Sequence, residues 1–211
     1  MAFTGWPAEA IEFFDGLEFD NSKAFFEEHK ATYLRCVKGP MEALLAELAP
    51  EFGAPKVFRP NRDVRFSKDK TPYKTNIAAT VGDRGYVSLS AGGLGAGAGM
   101  WRMMPDQLER YRAAVDDPKT GGRLVAIVED VHAEGHECGP HDALKTAPKG
   151  YPKDHPRIDL LRARGLTAWH QWPVGAWLHK PKAKDRIVDL LRATCPLHEW
   201  LVASVGDTTM G

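Results

Sequence analysis

Cysteine is scarce in this 211-residue chain. Cys36, Cys138 and Cys195 make an odd number with no tight spacing. That is no disulfide framework, and it points to a reducing compartment with every thiol unpaired. Net charge is also lacking: 28 Lys and Arg balance 28 Asp and Glu. A protein held by bulk attraction to nucleic acid or anionic lipid carries a basic excess, so both partners are disfavoured and anion recognition has to be local. Long apolar runs are missing too. The longest uncharged stretch, Gly85 to Trp101, holds six glycines among 17 residues, so it reads as strands and turns rather than a membrane span. The opening residues Met1 to Pro7 show no basic region followed by an apolar run, so no signal peptide is expected and the location reads as cytoplasmic.

Several reaction signatures are only half present. The run Gly93 to Gly99 places glycine at every second position and lacks Gly-Lys-Ser/Thr, so it fits neither phosphate-binding loop. It reads as a strand with one bare face, covered by a close-packed helix or open as a ligand slot. His198-Glu199 begins a zinc-protease helix, but Val202 stands where the second histidine belongs. His132, His136, Cys138 and His141 have ligand chemistry without the spacing of a structural zinc module, and read as a solvated loop. No Gly-x-Ser-x-Gly elbow occurs. No metal and no cofactor are expected.

Periodicity divides the chain into three stretches. Residues 1–50 look helical: Pro7 suits a helix start, Ile11, Phe13, Phe14 and Leu17 give an apolar side, and Asp20 or Asn21 can cap a second helix. Phe25, Phe26, His29, Tyr33, Cys36 and Val37 share one side of that helix, with His29 a hydrogen-bonded core histidine. Pro40 opens a third helix, and Pro50 is expected to end it. The sheet covers about 57–101, with Val57–Phe66 extended, Ile77, Ala79 and Val81 alternating, a turn at 82–85, and strands resuming at Val87 and Leu94. Residues 105–205 return to helices with one extra strand at Leu166–Trp172. This order predicts a single α+β domain over 1–211: an antiparallel meander of about four strands flanked by N-terminal and C-terminal helices. Trp101, Trp169, Trp172, Trp177 and Trp200 sit in periodic apolar settings and read as core.

One segment breaks the balance of charge. Residues 59–74 hold Arg59, Arg62, Arg65, Lys68, Lys70 and Lys74 against Asp63 and Asp69, a net of +4; the remaining 22 basic and 26 acidic residues leave −4 elsewhere. Residues 1–58 alone carry five basic and ten acidic groups. If Phe58–Phe66 is extended, Arg62 falls on the core side with Phe58, Val64 and Phe66, while Arg59, Asp63 and Arg65 face solvent. A buried guanidinium needs a carboxylate, and Asp63 is placed to brace Arg62. Two readings stand. In one, the arginines form an internal salt-bridge network that pins the acidic N-terminal helices, with Asp63 and Asp69 setting the turn. In the other, Arg59, Arg62, Arg65, Lys70 and Tyr73 hold a phosphate- or carboxylate-bearing small molecule, with Asp63 or Tyr73 as catalytic candidates.

The same segment resembles a bacterial family, domain of unknown function 2461. Its signature Arg-x-x-Arg-Asp-x-Arg-Phe, then Asp-Lys-x-x-Tyr, falls on Arg59, Arg62, Asp63, Arg65, Phe66, Asp69, Lys70 and Tyr73. Asn21 to Tyr33 is similar to a second family stretch, with Asp20 in place of Asn and Phe25 in place of Trp. Pro148-Lys149-Gly150-Tyr151, His155-Pro156 and Leu160-Leu161 resemble a third. The resemblance implies an α+β fold and no particular reaction. The function expected is therefore an anion-binding pocket, with an enzymatic role weakened by the want of a clear nucleophile or metal. The alternative is a non-catalytic module docking an acidic protein partner. The oligomeric state is not readable.

Overall fold

The computed structural model describes residues 2–65, 68–83 and 85–210. The chain divides into two compact units, Met1–Ala96 with Gln171–Asp189, and Gly97–His170 with Leu190–Gly211. The fold is α+β, with helices at both ends of the chain and an antiparallel sheet in the middle.

The first unit opens with α1 (Ala8–Phe19), α2 (Lys23–Glu28), the single turn α3 (Lys30–Thr32), a π-helical turn at Tyr33–Lys38 and α4 (Gly39–Phe52). The Ser22 hydroxyl accepts from Phe25 N at 3.1 Å and caps α2, the role expected of Asp20 or Asn21. His29 is hydrogen-bonded as predicted, its Nδ1 2.9 Å from Phe25 O. Pro50 does not end α4. It lies in the last turn, and the chain leaves the helix at Gly53 with φ of 102°. Only a residue without Cβ takes that path here, because Gly82, at φ of 60°, stands against it and its own Cβ would lie 2.1 Å from Phe52 O.

Strand β1 (Pro55–Val57) pairs antiparallel with β2 (Asn76–Val81), which pairs with β3 (Gly85–Ser90) from Asn76↔Ser90 to Val81↔Gly85. The alternation read from Ile77, Ala79 and Val81 is correct: all three are buried. The 82–85 turn joins β2 to β3, though Arg84 lies outside the described residues. Helix α4 packs on β1 and β2. Between them Leu44, Leu45, Leu48, Ile77, Ala79 and Val81 are sealed from water, the apolar burial that drives the fold.

Strand β4 (Gly93–Met100) and β6 (Leu166–Trp172) run through both units, and β5 (Glu137–Gly139) pairs antiparallel with β6. The strand order is β1-β2-β3-β4-β6-β5, six strands where about four and one were expected. The unforeseen strand, β5, is three residues long, too short for a period of two to show, and β1 ends at Val57, where the extended stretch was expected to begin. At Gly97 and Gly99 the neighbouring strand β6 approaches too closely for a side chain. A Cβ on Gly97 would lie 2.4 Å from Ala168 O, and one on Gly99 2.4 Å from Leu166 O. The β6 backbone occupies that space.

The second unit packs α5 (Pro105–Asp116), α6 (Pro118–Ala133), α7 (Ile158–Arg162) and α9 (Cys195–Ser204) around Tyr111, Leu124, Leu161 and Trp200. Helix α8 (Ala183–Ala193) precedes α9. Asp117 caps α6 through Lys119 N and Thr120 N, and Pro118 fills the first helical position. Cys36, Cys138 and Cys195 form no disulfide. Trp172 and Trp200 are core, but Trp101 is 66% exposed. It stacks on His141, ring centroids 3.5 Å apart. Among the described residues no helix is long and apolar enough to cross a membrane.

Candidate functional site

Residues 58–65 do not continue β1 as a strand. They run out as one arm of an open loop whose second arm returns at Pro72–Lys74. The arms are joined by Arg62 N to Pro72 O at 2.9 Å and Lys74 N to Pro60 O at 2.8 Å, around an isolated bridge between Asn61 and Tyr73. Phe66 and Ser67, and with them the face proposed for Phe66, lie outside the described residues.

Because the arm is not a regular strand, the expected two-sided split fails, and with it the pairing of Asp63 to Arg62. Arg62 gives one amino group to both Asp69 Oδ2 and Thr71 Oγ1, the latter at 2.7 Å, and its side chain is 35% exposed. Asp63 instead takes Arg65 by two parallel bonds, Nε to Oδ1 at 2.9 Å and the terminal nitrogen to Oδ2 at 2.7 Å. Arg65 is 76% exposed and Asp63 45%, so no buried guanidinium is being neutralised. The pairs of Arg62 with Asp69 and of Arg65 with Asp63 close within the loop itself.

Asp69 does set the turn. Its Oδ1 accepts from Thr71 N at 2.9 Å and from the Thr71 hydroxyl at 2.8 Å, the side-chain mimic of a turn expected of aspartate. Those bonds, ahead of Arg62, hold its carboxyl below the usual carboxylate range. The Arg65 side chain does the same to Asp63. A carboxylate held in its ionised form and occupied by a fork of donors is a poor general base at neutral pH.

Lys70 reaches back to Val64 O at 3.0 Å. Lys74 sits over the Phe58 ring, 5.4 Å from its centroid. Arg59 and Lys68 are exposed and hold no hydrogen-bonded acid among the described residues. Tyr73 is elsewhere: 5% exposed, stacked on Phe26 at 4.1 Å with rings 6° apart. It is a core anchor, and the loop's exposed cations and Tyr73 do not form one ligand shell.

Uncharged groups tie the loop to the helices. Asn21 donates to Tyr73 O at 3.1 Å and accepts from Tyr73 N at 3.0 Å. Two residues earlier Phe19, at the end of α1, is 95% exposed. Sequence reading missed Phe19, whose only signal was an aromatic next to the helix end, outside the apolar stripe of Phe13, Phe14 and Leu17.

Burial pushes the Cys138 thiol up to about 11, which leaves it protonated at neutral pH. The histidine cluster disperses. His132 Nε2 accepts from Cys138 N at 3.1 Å, His141 lies under Trp101, and His136 meets His170 with 3.1 Å between Nδ1 atoms. No three metal-ligating side chains are grouped among the described residues. The described residues of the 59–74 loop form an exposed surface braced by the Arg62–Asp69 and Arg65–Asp63 pairs.

No curated protein matches the chain. The family described as conserved hypothetical protein (DUF2461) matches residues 9–200, which includes the whole arginine loop, Asn21 and the stretch from Pro148 to Leu161. The chain belongs to that family.

Proposed function

We propose that this protein is a non-catalytic binding module whose 59–74 loop docks an acidic protein surface. The observation that carries this reading is the exposure of the motif: Asp63, Arg65 and Asp69 stand in solvent on a loop held in shape by its own ion pairs. Asp63 and Asp69 are used internally, so the loop's remaining charge is positive. The two arms, tied to each other by backbone bonds, lose little freedom on binding. Phe19, two residues from the Asn21 that grips the loop, supplies the exposed aromatic that interfaces favour as an anchor. Rim charges of this type steer association and make it salt-dependent more than they add affinity.

The test is titration of a fluorescent polyglutamate peptide at two salt concentrations. Binding is expected to weaken steeply with salt, and by about tenfold in an Arg59→Ala, Lys68→Ala double variant. Absence of peptide binding, with a saturable thermal shift by phosphorylated or carboxylated metabolites that the same variant loses, would replace the protein partner by a small anion.

A further inference from the structure

A cavity of about 250 Å³ opens beside α7 in the second unit, lined by Lys145, Thr146, Ala147, Lys153, Ile158 and Arg162. We propose that it binds the phosphate group of a small phosphomonoester, independently of the 59–74 loop. Three of its six lining residues are cations, a fourth carries a hydroxyl, and none is acidic. Arg162 also lies 3.7 Å from Asp159, whose side chain is 92% exposed; Asp154 follows Lys153 in the chain and is exposed too.

Arg162 is fixed before any ligand arrives. Its Nε donates to Leu144 O at 2.6 Å and a terminal nitrogen donates to Lys145 O. Leu144 N returns a bond to Arg162 O at 2.8 Å, and Ala143 bridges Ala163. These bonds hold the 143–147 segment against α7, so the wall bearing Lys145 and Thr146 is set by the same arginine that lines the cavity. Two carbonyls cannot use all five guanidinium hydrogens, so donors remain. Lys145 and Lys153 have no ion-pair partner among the described residues.

This donor set suits a phosphate better than a carboxylate. Three cations and a hydroxyl match a tetrahedral dianion with three terminal oxygens, whereas a carboxylate offers two oxygens and one charge. Ala147 and Ile158 supply an apolar patch for a short organic body beside the phosphate.

The experiment titrates phenyl phosphate and inorganic phosphate by calorimetry into the wild type, a Lys145→Gln, Lys153→Gln variant, and the Arg59→Ala, Lys68→Ala variant. Glutamine keeps the stems and removes the charges, and both lysines are exposed, so the melting temperature is expected to stay unchanged. Saturable phenyl phosphate binding, tighter than that of inorganic phosphate, should weaken by about tenfold or more in the lysine variant and persist in the Arg59 variant. Absence of saturation at about 10 mM ligand, or equal binding by wild type and lysine variant, overturns the proposal. Loss only in the Arg59 variant does so as well, and transfers the phosphate to the 59–74 loop.

Discussion

The side-chain amide of Asn21 closes on both backbone groups of Tyr73, accepting from its nitrogen at 3.0 Å and donating to its oxygen at 3.1 Å, across 52 residues of chain. This is how a strand would pair, performed by one side chain, and it fixes the return arm of the cationic loop to the start of α2. Asn21→Ala removes two hydrogen bonds worth about 1 kcal/mol each. The melting temperature should fall by about 4–8 °C for a chain of this size, read by calorimetry. Asn21→Asp keeps the acceptor and loses the donor, and should fall between.

Asp63→Asn weakens the pair with Arg65, and both partners stand in solvent. Exposed pairs contribute little to stability because water and salt screen them. The melting temperature should therefore move by less than about 3 °C. The sequence, with Asp63 bracing a buried Arg62, led to the opposite expectation of a large loss. A drop of many degrees would restore a structural role for Asp63.

Asp106 answers to pH. Its carboxylate receives Thr209 N at 2.8 Å, the Thr208 hydroxyl at 2.8 Å and the Thr209 hydroxyl at 3.2 Å, tying the C-terminal segment to the start of α5. The Thr209 amide above all depresses its pKa well below the ordinary aspartate range. A depressed carboxylate contributes stability fully above its unfolded value and loses it as pH falls through the folded one. Amide exchange at Thr209 should thus stay slow relative to the intrinsic rate from pH 7 to about 4. Protection should disappear only at strongly acidic pH. Asp106→Asn should weaken it throughout that range.

Gly97 tests the strand crossing. A Cβ there would sit 2.4 Å from Ala168 O and 2.7 Å from the Trp169 ring. The obstacle is backbone, which cannot rotate away as a side chain does. Gly97→Ala should cost about 3 kcal/mol, the upper range for overpacking, visible as a lower denaturant midpoint. Gly122→Ala, where a Cβ meets nothing within 4 Å, is the control and should be neutral or slightly stabilising in its helix.

The helices and long strands were legible because their signals are local. The Ile77-Ala79-Val81 alternation, Asp117-Pro118 before α6 and Leu166–Trp172 as β6 each lie within one element, where side-chain direction repeats with the backbone. Pro50 misled, because a proline in the last turn costs far less than one in the middle of a helix. The concentration of charge in 59–74 was equally plain in sequence, since composition needs no coordinates.

What the sequence by itself determined is therefore the element types, the α+β class and the segment where positive charge gathers. Which charge meets which was decided only in three dimensions. Asp63 has arginines one residue before it and two after, and chain spacing does not choose between them; the loop's departure from strand geometry turned it to Arg65 and gave Arg62 to Asp69. Likewise the alternating glycine of β4 was visible, but the β6 backbone that crowds Gly97 and Gly99 lies some 70 residues along the chain. A short-range pattern records the direction of a side chain. The partner it meets depends on how distant segments close together, and that is set by packing the whole core.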